Sequence, residues 1–340
     1  MPSLAIAGTG LIGASIGLGL TRAGWEVTGW DPDPSTLATA VETGAVAIGV
    51  DSFEALIDTD VDLVVLAGPP RAILGQVSTL STSKLVIDVA GVKSEIVAAA
   101  APGRFIGTHP MAGREIQGPQ GATPSLFRGT TWVVVTDGAV AADLETVEHA
   151  LKQLGARPLR MTAAAHDAGV AMISHLPQVL ATALVNEAAD RTKLLELVAG
   201  SFRDLTRVAA SDPAMWIDLF EMNRPHVVAV IEDFRERLGR VARAIADQDD
   251  DEIRLFLGRG RTIRRGLAPG AVAVRVALAD EPGELARVGR AFGASSADIR
   301  DLQLRHAPHG GGGVLTVSVR PGEEQALRTA LEDEGLLVLE

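Results

Sequence analysis

The chain has 340 residues, a net charge of −12 and a pI near 5.1. This length suffices for two or three domains with separate cores. So acidic a protein without an evident basic patch is not expected to bind nucleic acid or an anionic membrane. Cysteine is absent, which excludes disulfides and thiol catalysis, and no apolar stretch reads as long and unbroken enough to span a bilayer. We expect a cytoplasmic protein.

A dinucleotide-binding pattern opens the chain. The apolar run at 4–7 leads into Gly8-Thr9-Gly10-Leu11-Ile12-Gly13. In this pattern Gly8 permits a tight turn, Gly10 lets backbone N–H groups approach phosphates, and Gly13 allows a helix to pack closely on the strand. We predict that Gly8, Gly10, Leu11, Ile12 and Gly13 bind the cofactor pyrophosphate.

The second apolar run, at 25–30, ends at Asp31. This fold places an acid there to hydrogen-bond the adenosine ribose. Residues 32–34 contain no arginine that could receive a 2′-phosphate, so NAD is favoured over NADP. A glycine turn in another kind of α/β protein, with Asp31 capping a loop, is the alternative interpretation.

After these two runs, patterns typical of buried strands alternate with helical segments along the chain. They occur at 61–67, 84–88, 104–108, 131–135 and 157–160, and an amphipathic helix is predicted for 143–154. Gly68 and Pro69 end the first of these strands at the edge where ligands meet a parallel sheet, so both are cofactor-binding candidates. The pattern predicts an α/β, doubly wound Rossmann-type domain over residues 1–160.

Two further domains are predicted. Residues 161–265 show helical spacing throughout, and because their long apolar faces need cover, we expect an all-helical domain that forms a homodimer. Residues 271–340 follow the order strand, helix, strand, strand, helix, strand, which predicts a ferredoxin-like βαββαβ domain.

His109 is the strongest catalytic candidate. It follows a predicted strand, at the sheet edge where a nicotinamide would lie. Hydride removal from a carbinol needs a base for the hydroxyl proton, and neutral imidazole has a suitable pKa. A capping or structural histidine is the alternative. No histidine has metal-ligand spacing to acids, so we expect no metal.

An acidic protein that holds an anionic small-molecule substrate needs local cations. Arg203 and Arg207 stand one helical turn apart, and Asp204 is placed to hold the Arg207 guanidinium. Taken alone, this pattern is more often a solvated charged helix.

The chain resembles the prephenate dehydrogenase family, which includes arogenate dehydrogenases, with a C-terminal ACT domain. The resemblance covers the whole chain and rests on several motifs: the glycine turn, Asp-Val-Ala-Gly-Val-Lys at 88–93, His-Pro-Met-Ala-Gly at 109–113, His166-Asp167, Ser-His-Leu-Pro at 174–177, Phe-Arg-Asp-Leu-Thr-Arg at 202–207 and Ser-Asp-Pro-Ala-Met-Trp at 211–216.

The resemblance implies roles for particular residues. His109 would accept the ring-hydroxyl proton and Arg207 would bind a substrate carboxylate. The supporting residues it implies are His175 in the substrate pocket, Glu115 in the polar network at its entrance, and Asp204 and Trp216 beside Arg207.

Two departures from the family pattern stand out. Gly91 occupies a position where many members carry serine, and the loss of that hydroxyl weakens the orientation of His109 unless water or Lys93 substitutes. Arg114 stands where a small hydroxyl residue is common, and its charge favours dianionic prephenate as substrate over zwitterionic arogenate. Arg114 could equally point to solvent or bind Glu115.

The implied activity is NAD-dependent oxidative decarboxylation of prephenate to 4-hydroxyphenylpyruvate, in tyrosine biosynthesis. Arogenate dehydrogenase and a non-catalytic sensor of NAD and amino acids are the alternatives. A β-hydroxy-acid dehydrogenase would carry a lysine on the first long helix of the second domain, and 162–190 has none. Asp280, Pro282 and Gly283 match the first loop of ACT domains, which implies an amino-acid effector, tyrosine or phenylalanine.

Overall fold

The computed structural model describes residues 1–100, 104–113, 118–191, 194–267, 272–306 and 312–339. The chain divides into two compact units, Met1–Arg235 and Glu236–Glu340. The division falls inside one long helix, Arg224–Ala246.

A six-stranded parallel sheet forms the first part of the N-terminal unit. Its strands are β1 (Ser3–Ala7), β2 (Glu26–Trp30), β3 (Ile48–Gly49), β4 (Leu63–Leu66), β5 (Leu85–Asp88) and β6 (Arg104–Ile106). They lie in the order β3-β2-β1-β4-β5-β6, the doubly wound order of dinucleotide-binding domains. The predicted Rossmann-type fold is therefore confirmed.

Helices cover both faces of this sheet. They are α1 (Leu11–Arg22), α2 (Pro34–Glu42), α3 (Phe53–Asp58), α4 (Pro70–Thr79) and α5 (Ser94–Ala99). Successive strand residues point to opposite faces, so Leu4 and Ile6 enter one apolar core while Ala5 and Ala7 enter the other. Burial on both faces explains why the strands read as continuous apolar runs.

The chain then forms a second, three-stranded sheet. Its strands are β7 (Thr108–Pro110), β8 (Thr131–Val135) and β9 (Arg157–Met161), and helix α6 (Ala141–Gln153) connects the last two. The sequence suggested that 131–135 and 157–160 simply continue the doubly wound rhythm. They lie in this separate sheet instead, because β8 pairs with β7 in the antiparallel sense.

Every described element between 162 and 267 is helical, as predicted. The elements are α7 (Ala163–Val170), a π-helical turn (Ala171–His175), α8 (Leu176–Ala189), a 3-10 turn (Leu194–Leu197), α9 (Gly200–Thr206), a 3-10 turn (Arg207–Ala210), α10 (Pro213–Met222), α11 (Arg224–Ala246) and α12 (Asp250–Leu267). Pro213 begins α10, and the Asp212 carboxylate caps it by accepting a hydrogen bond from Ala214 N at 2.9 Å.

The helical run 163–189 corrects one expectation. By length and composition alone it is apolar enough to cross a membrane, whereas the sequence suggested no such stretch. One helix of this kind is weak support for a membrane span, because the core helix of a globular protein meets the same criterion. This run also buries polar side chains: His166, Asp167, His175 and Gln178.

The C-terminal unit ends in the predicted βαββαβ order. Its elements are β10 (Val272–Leu278), α13 (Glu284–Ser295), β11 (Ile299–His306), β12 (Gly313–Val319), α14 (Glu324–Asp333) and β13 (Leu337–Leu339). The four strands form an antiparallel sheet in the order β11-β12-β10-β13. Alternate residues of β10, such as Val274 and Val276, are fully buried against α13 and α14.

Candidate active site

The glycine turn joins β1 to α1 and is held by backbone packing. Gly8 has φ +95°, and a Cβ there would lie 2.8 Å from the carbonyl carbon of Ala67. A Cβ at Gly13 would lie 1.9 Å from Gly8 O. Side chains at positions 8 and 13 are therefore excluded by the fold itself.

Gly10 differs from these two glycines. It precedes α1, makes no side-chain cap, and a Cβ there would meet nothing within 4 Å. The first N–H groups of α1 thus have no side-chain cap, and a helix N-terminus of this kind suits a pyrophosphate. The residues fit a dinucleotide by this measure.

The Asp31 carboxylate lies beside the same turn, at the end of β2. It accepts hydrogen bonds from Thr9 N at 2.7 Å and from Asp33 N at 3.0 Å. Gly68 follows β4, and a Cβ at Gly8 would lie 2.9 Å from its backbone nitrogen. Pro69 precedes α4. The structure thus brings the predicted cofactor residues to one edge of the parallel sheet.

His109 lies in the middle of β7 and is half-buried. Its Nδ1 lies 2.9 Å from His166 Nε2, and His166 Nδ1 lies 2.8 Å from Asp167 Oδ1. The opposite edge of the His109 ring faces Gly91, where a Cβ would lie 3.8 Å from both Cε1 and Nε2. One side of the imidazole is therefore tied inward, and the other side lies beside Gly91.

Asp167 anchors this cluster to the nucleotide-binding half. Its two carboxylate oxygens accept hydrogen bonds from Lys93 N at 2.8 Å and Ser94 N at 2.7 Å. These N–H groups begin α5, so an α7 side chain caps another helix. Fully buried Lys93 also forms an ion pair with Asp88 at the end of β5.

Burial and neighbouring charges set the protonation of these groups. Burial, with His166, Lys93 and His175 nearby, holds the pKa of His109 well below its usual value of 6.5, so the ring is neutral near pH 7. Burial acts against ionisation of Asp167, but hydrogen bonds from His166 and Ser94 outweigh it and lower its pKa to about 2. A neutral imidazole thus lies near a fixed carboxylate.

His175 ends the π-helical turn before α8 and is buried. Its Nδ1 lies 3.3 Å from the Asn223 amide, which also donates to Asp167 O at 2.8 Å. Burial lowers the pKa of His175 to about 4. Trp216, which the sequence placed beside Arg207, packs edge-on against the His175 ring, with the ring centroids 5.9 Å apart.

Arg207 follows α9 and begins a 3-10 turn, so the predicted helix ends one residue earlier than the Arg203–Arg207 pairing assumed. Asp204 and Arg207 are both exposed. Helix α8, which starts beside His175, contacts both α9 and the turn at Arg207. Arg114 and Glu115 lie outside the described residues.

Sequence reasoning assigned no role to three residues of the cluster. His166, Asp167 and Asn223 link His109 to His175, and the first two were noted only as a motif. An adjacent His-Asp pair inside an apolar helical run was the available signal, because buried charged residues require partners. Within the described part of the chain, no group of three or more histidine, cysteine, aspartate or glutamate side chains is placed to hold a metal ion.

The C-terminal unit has its own cavity of about 410 Å³. Asp280, Pro282 and Gly283 line it, together with Leu304. Gly283 has φ +99° and precedes α13. The three residues matched to the ACT loop thus lie around one concave surface.

Comparisons with known proteins agree on one family. The family model for the nucleotide-binding domain of prephenate dehydrogenase matches residues 16–159, and the model for its dimerization domain matches residues 162–259. Prephenate dehydrogenase of Lactococcus lactis is 32% identical over 314 residues, 85% of each chain.

Two solved structures are similar over most of the chain. Prephenate dehydrogenase of A. aeolicus, in complex with hydroxyphenyl propionate and NAD+, has a TM-score of 0.73 at 28% identity and covers 78% of this chain and 98% of its own. Synechocystis arogenate dehydrogenase has a TM-score of 0.68 at 28% identity and covers 78% and 99%. The protein is thus an NAD-dependent oxidoreductase that belongs to the prephenate dehydrogenase family.

Proposed function

We propose that this protein is a prephenate dehydrogenase, which converts prephenate to 4-hydroxyphenylpyruvate and CO2. The observation that carries the proposal is the state of His109: a neutral, half-buried imidazole whose Cε1–Nε2 edge lies beside Gly91, where no side chain stands between the ring and the backbone. A base of this kind can take a hydroxyl proton near pH 7.

In the proposed reaction, His109 Nε2 takes the proton of the C4 hydroxyl of prephenate. The glycine turn and Asp31 would hold NAD, which would supply the acceptor for the hydride that leaves C4. The bond from the ring to its carboxylate then breaks, CO2 leaves, and the electron pair makes the ring aromatic. The resulting phenolate oxygen takes up one proton, which balances the proton that His109 removed from the C4 hydroxyl. Formation of the aromatic ring drives the reaction, and the protein mainly orients the substrate.

Arg207 is the proposed partner of a substrate carboxylate. Its guanidinium can form a bidentate pair with a carboxylate, and α8 connects its turn to His175. Asp204, one turn earlier, and Trp216, beside His175, are proposed to support this side of the pocket. Glu115 and Arg114 are proposed to contribute to its entrance, and Asp31 with the glycine turn, Gly68 and Pro69 to hold NAD.

A homodimer is the proposed assembly. Large apolar side chains are exposed on the helical segment that matches the dimerization model: Met172, Ile173, Leu184, Leu194, Leu195, Leu197, Leu205, Met215 and Ile217. Exposed apolar side chains in this number on one helical segment are costly in water, and a second copy of the chain would cover them. The expected domain boundaries, 1–160, 161–265 and 271–340, are retained in this proposal.

The C-terminal βαββαβ module is proposed to be an ACT domain that binds an amino-acid effector such as tyrosine. Its cavity at Asp280, Pro282 and Gly283 is large enough for a single amino acid and lies at the start of α13. The acidic Asp280 suits an α-amino group, and the N-terminus of the helix suits a carboxylate.

Arogenate dehydrogenase is the second candidate, supported by the similarity to the Synechocystis structure. Steady-state NADH formation with prephenate and with arogenate separates the two, each measured with and without tyrosine. Higher kcat/KM with prephenate supports the first proposal, and higher kcat/KM with arogenate replaces it. NAD binding without turnover of either substrate would leave a non-catalytic sensor.

A further inference from the structure

Three polar side chains form a line that ends at the proposed base. Asp167 Oδ1 lies 2.8 Å from His166 Nδ1, and His166 Nε2 lies 2.9 Å from His109 Nδ1. His166 and Asp167 are each 1% exposed, so water does not compete for these bonds. The three side chains are held by α7 and β7, two rigid elements rather than loops.

The direction of each hydrogen bond follows from Asp167. Its carboxylate is ionised and can only accept, and it already accepts two backbone N–H bonds. His166 Nδ1 must therefore carry the hydrogen that it shares with Asp167. In a neutral ring the other nitrogen, Nε2, is then an acceptor.

The donor and acceptor nitrogens of the His109 ring follow from those of His166. Because His166 Nε2 accepts, His109 Nδ1 must donate, and His109 Nε2 is left with a lone pair. That nitrogen lies on the ring edge beside Gly91. We propose that His166 and Asp167 are positioning residues, which hold His109 in the tautomer protonated at Nδ1 and bare at Nε2. This inference rests on the proposed role of His109 as base.

The arrangement also acts after proton transfer. Once Nε2 has taken a proton, the His109 imidazolium keeps its Nδ1–H bond to His166, and the Asp167 charge lies on the far side of that ring. A carboxylate that orients a catalytic histidine in this way is known from serine proteases, where its neutral amide replacement lowers kcat by about 10⁴ because the wrong tautomer forms. Here one further imidazole stands between the carboxylate and the base.

The direct test is the tautomer itself. Long-range ¹H–¹⁵N NMR of the full-length protein, with ¹⁵N-histidine and His109 assigned by comparison with His109→Asn, should show His109 protonated at Nδ1 and bare at Nε2. A wild-type His109 protonated at Nε2 overturns the proposal. The tautomer itself is read on the wild-type protein, and His109→Asn serves only to assign the His109 resonances.

Two exchanges at His166 supply the kinetic test. Leucine removes the acceptor, so His166→Leu should lower kcat by about 10²–10⁴ with KM for prephenate within about threefold. Glutamine can accept from His109 and donate to Asp167, so His166→Gln should keep kcat within about tenfold of wild type. His149→Leu is the matched control, since His149 is exposed on α6 and bonds Gln153.

The outcomes separate this inference from the proposed function. If His109→Asn loses turnover but His166→Leu keeps wild-type kcat, the positioning role is wrong and the base assignment stands. Equal losses in His166→Leu and His166→Gln also overturn it, because a merely structural histidine gains nothing from glutamine. If His109→Asn itself keeps normal turnover, the proposed function fails.

Discussion

The glycine turn and the histidine cluster lie in the same unit but are built in different ways. The turn is a backbone device: Gly8 and Gly13 are fixed by main-chain atoms 1.9–2.8 Å from where a Cβ would lie. The cluster is a side-chain device, in which His109, His166 and Asp167 come from β7 and α7.

This difference determines what each region tolerates. In the glycine turn, main-chain atoms exclude side chains by steric contact. A substitution there is expected to lower the stability of the fold or the affinity for the cofactor. The histidine cluster depends on the direction of its hydrogen bonds and on its charges. A substitution there can therefore lower turnover while the fold and cofactor binding remain intact. The two kinds of failure can be measured separately.

The largest difference between the effect on turnover and the effect on NAD binding is expected for His109→Asn. Asparagine cannot act as a base near neutral pH, so kcat with prephenate should fall by about 10²–10⁴. NAD affinity, measured by calorimetry, should remain within about twofold, because the glycine turn is untouched. A loss of NAD binding would show that the two regions are not independent.

Paired exchanges in the glycine turn probe the other region. Gly13→Ala places a Cβ 1.9 Å from Gly8 O and should destabilise the fold by about 1–3 kcal/mol. Gly10→Ala is the matched control, because its Cβ meets no atom within 4 Å. Its melting temperature should stay near wild type while NAD binds more weakly. Equal melting temperatures for both variants would contradict this account of Gly13.

Arg207→Gln tests whether the helical segment contributes to the same site. Loss of a charged hydrogen-bond partner should raise KM for prephenate on the order of 10–100-fold. Arg203→Gln, one turn earlier on α9, provides the matched control and should leave KM near wild type. An unchanged KM in Arg207→Gln would place this guanidinium outside the substrate pocket.

The smallest expected effect is a pH dependence of stability. His175 has a pKa of about 4 when folded against 6.5 for the free group, so the unfolded chain binds its proton more readily. The contribution of neutral, buried His175 to the free energy of unfolding is fully present above pH 6.5 and is lost as the pH falls towards about 4. Urea unfolding should show a loss on the order of 1–3 kcal/mol over this window.

His175→Asn should flatten that pH dependence, with His149→Asn as the control at an exposed site. An equally steep dependence in His175→Asn would assign the acid sensitivity to other groups.

The parallel sheet could be predicted because its strands are buried on both faces and therefore read as apolar runs, such as 63–66. The second sheet could not, since the runs at 131–135 and 157–160 look the same whichever strand they pair with. Pairing depends on contacts distant in sequence, here His109 opposite Val133.

The sequence by itself determined the dinucleotide turn, the helical segment, the βαββαβ order and the family. Those features depend on local rules of backbone conformation and periodicity, which act over a few residues. Only the tertiary structure decided that His166, Asp167, Lys93 and Asn223 surround His109 and His175. Their partnerships join residues 48–74 positions apart, and burial then fixes hydrogen-bond directions that a linear pattern cannot encode.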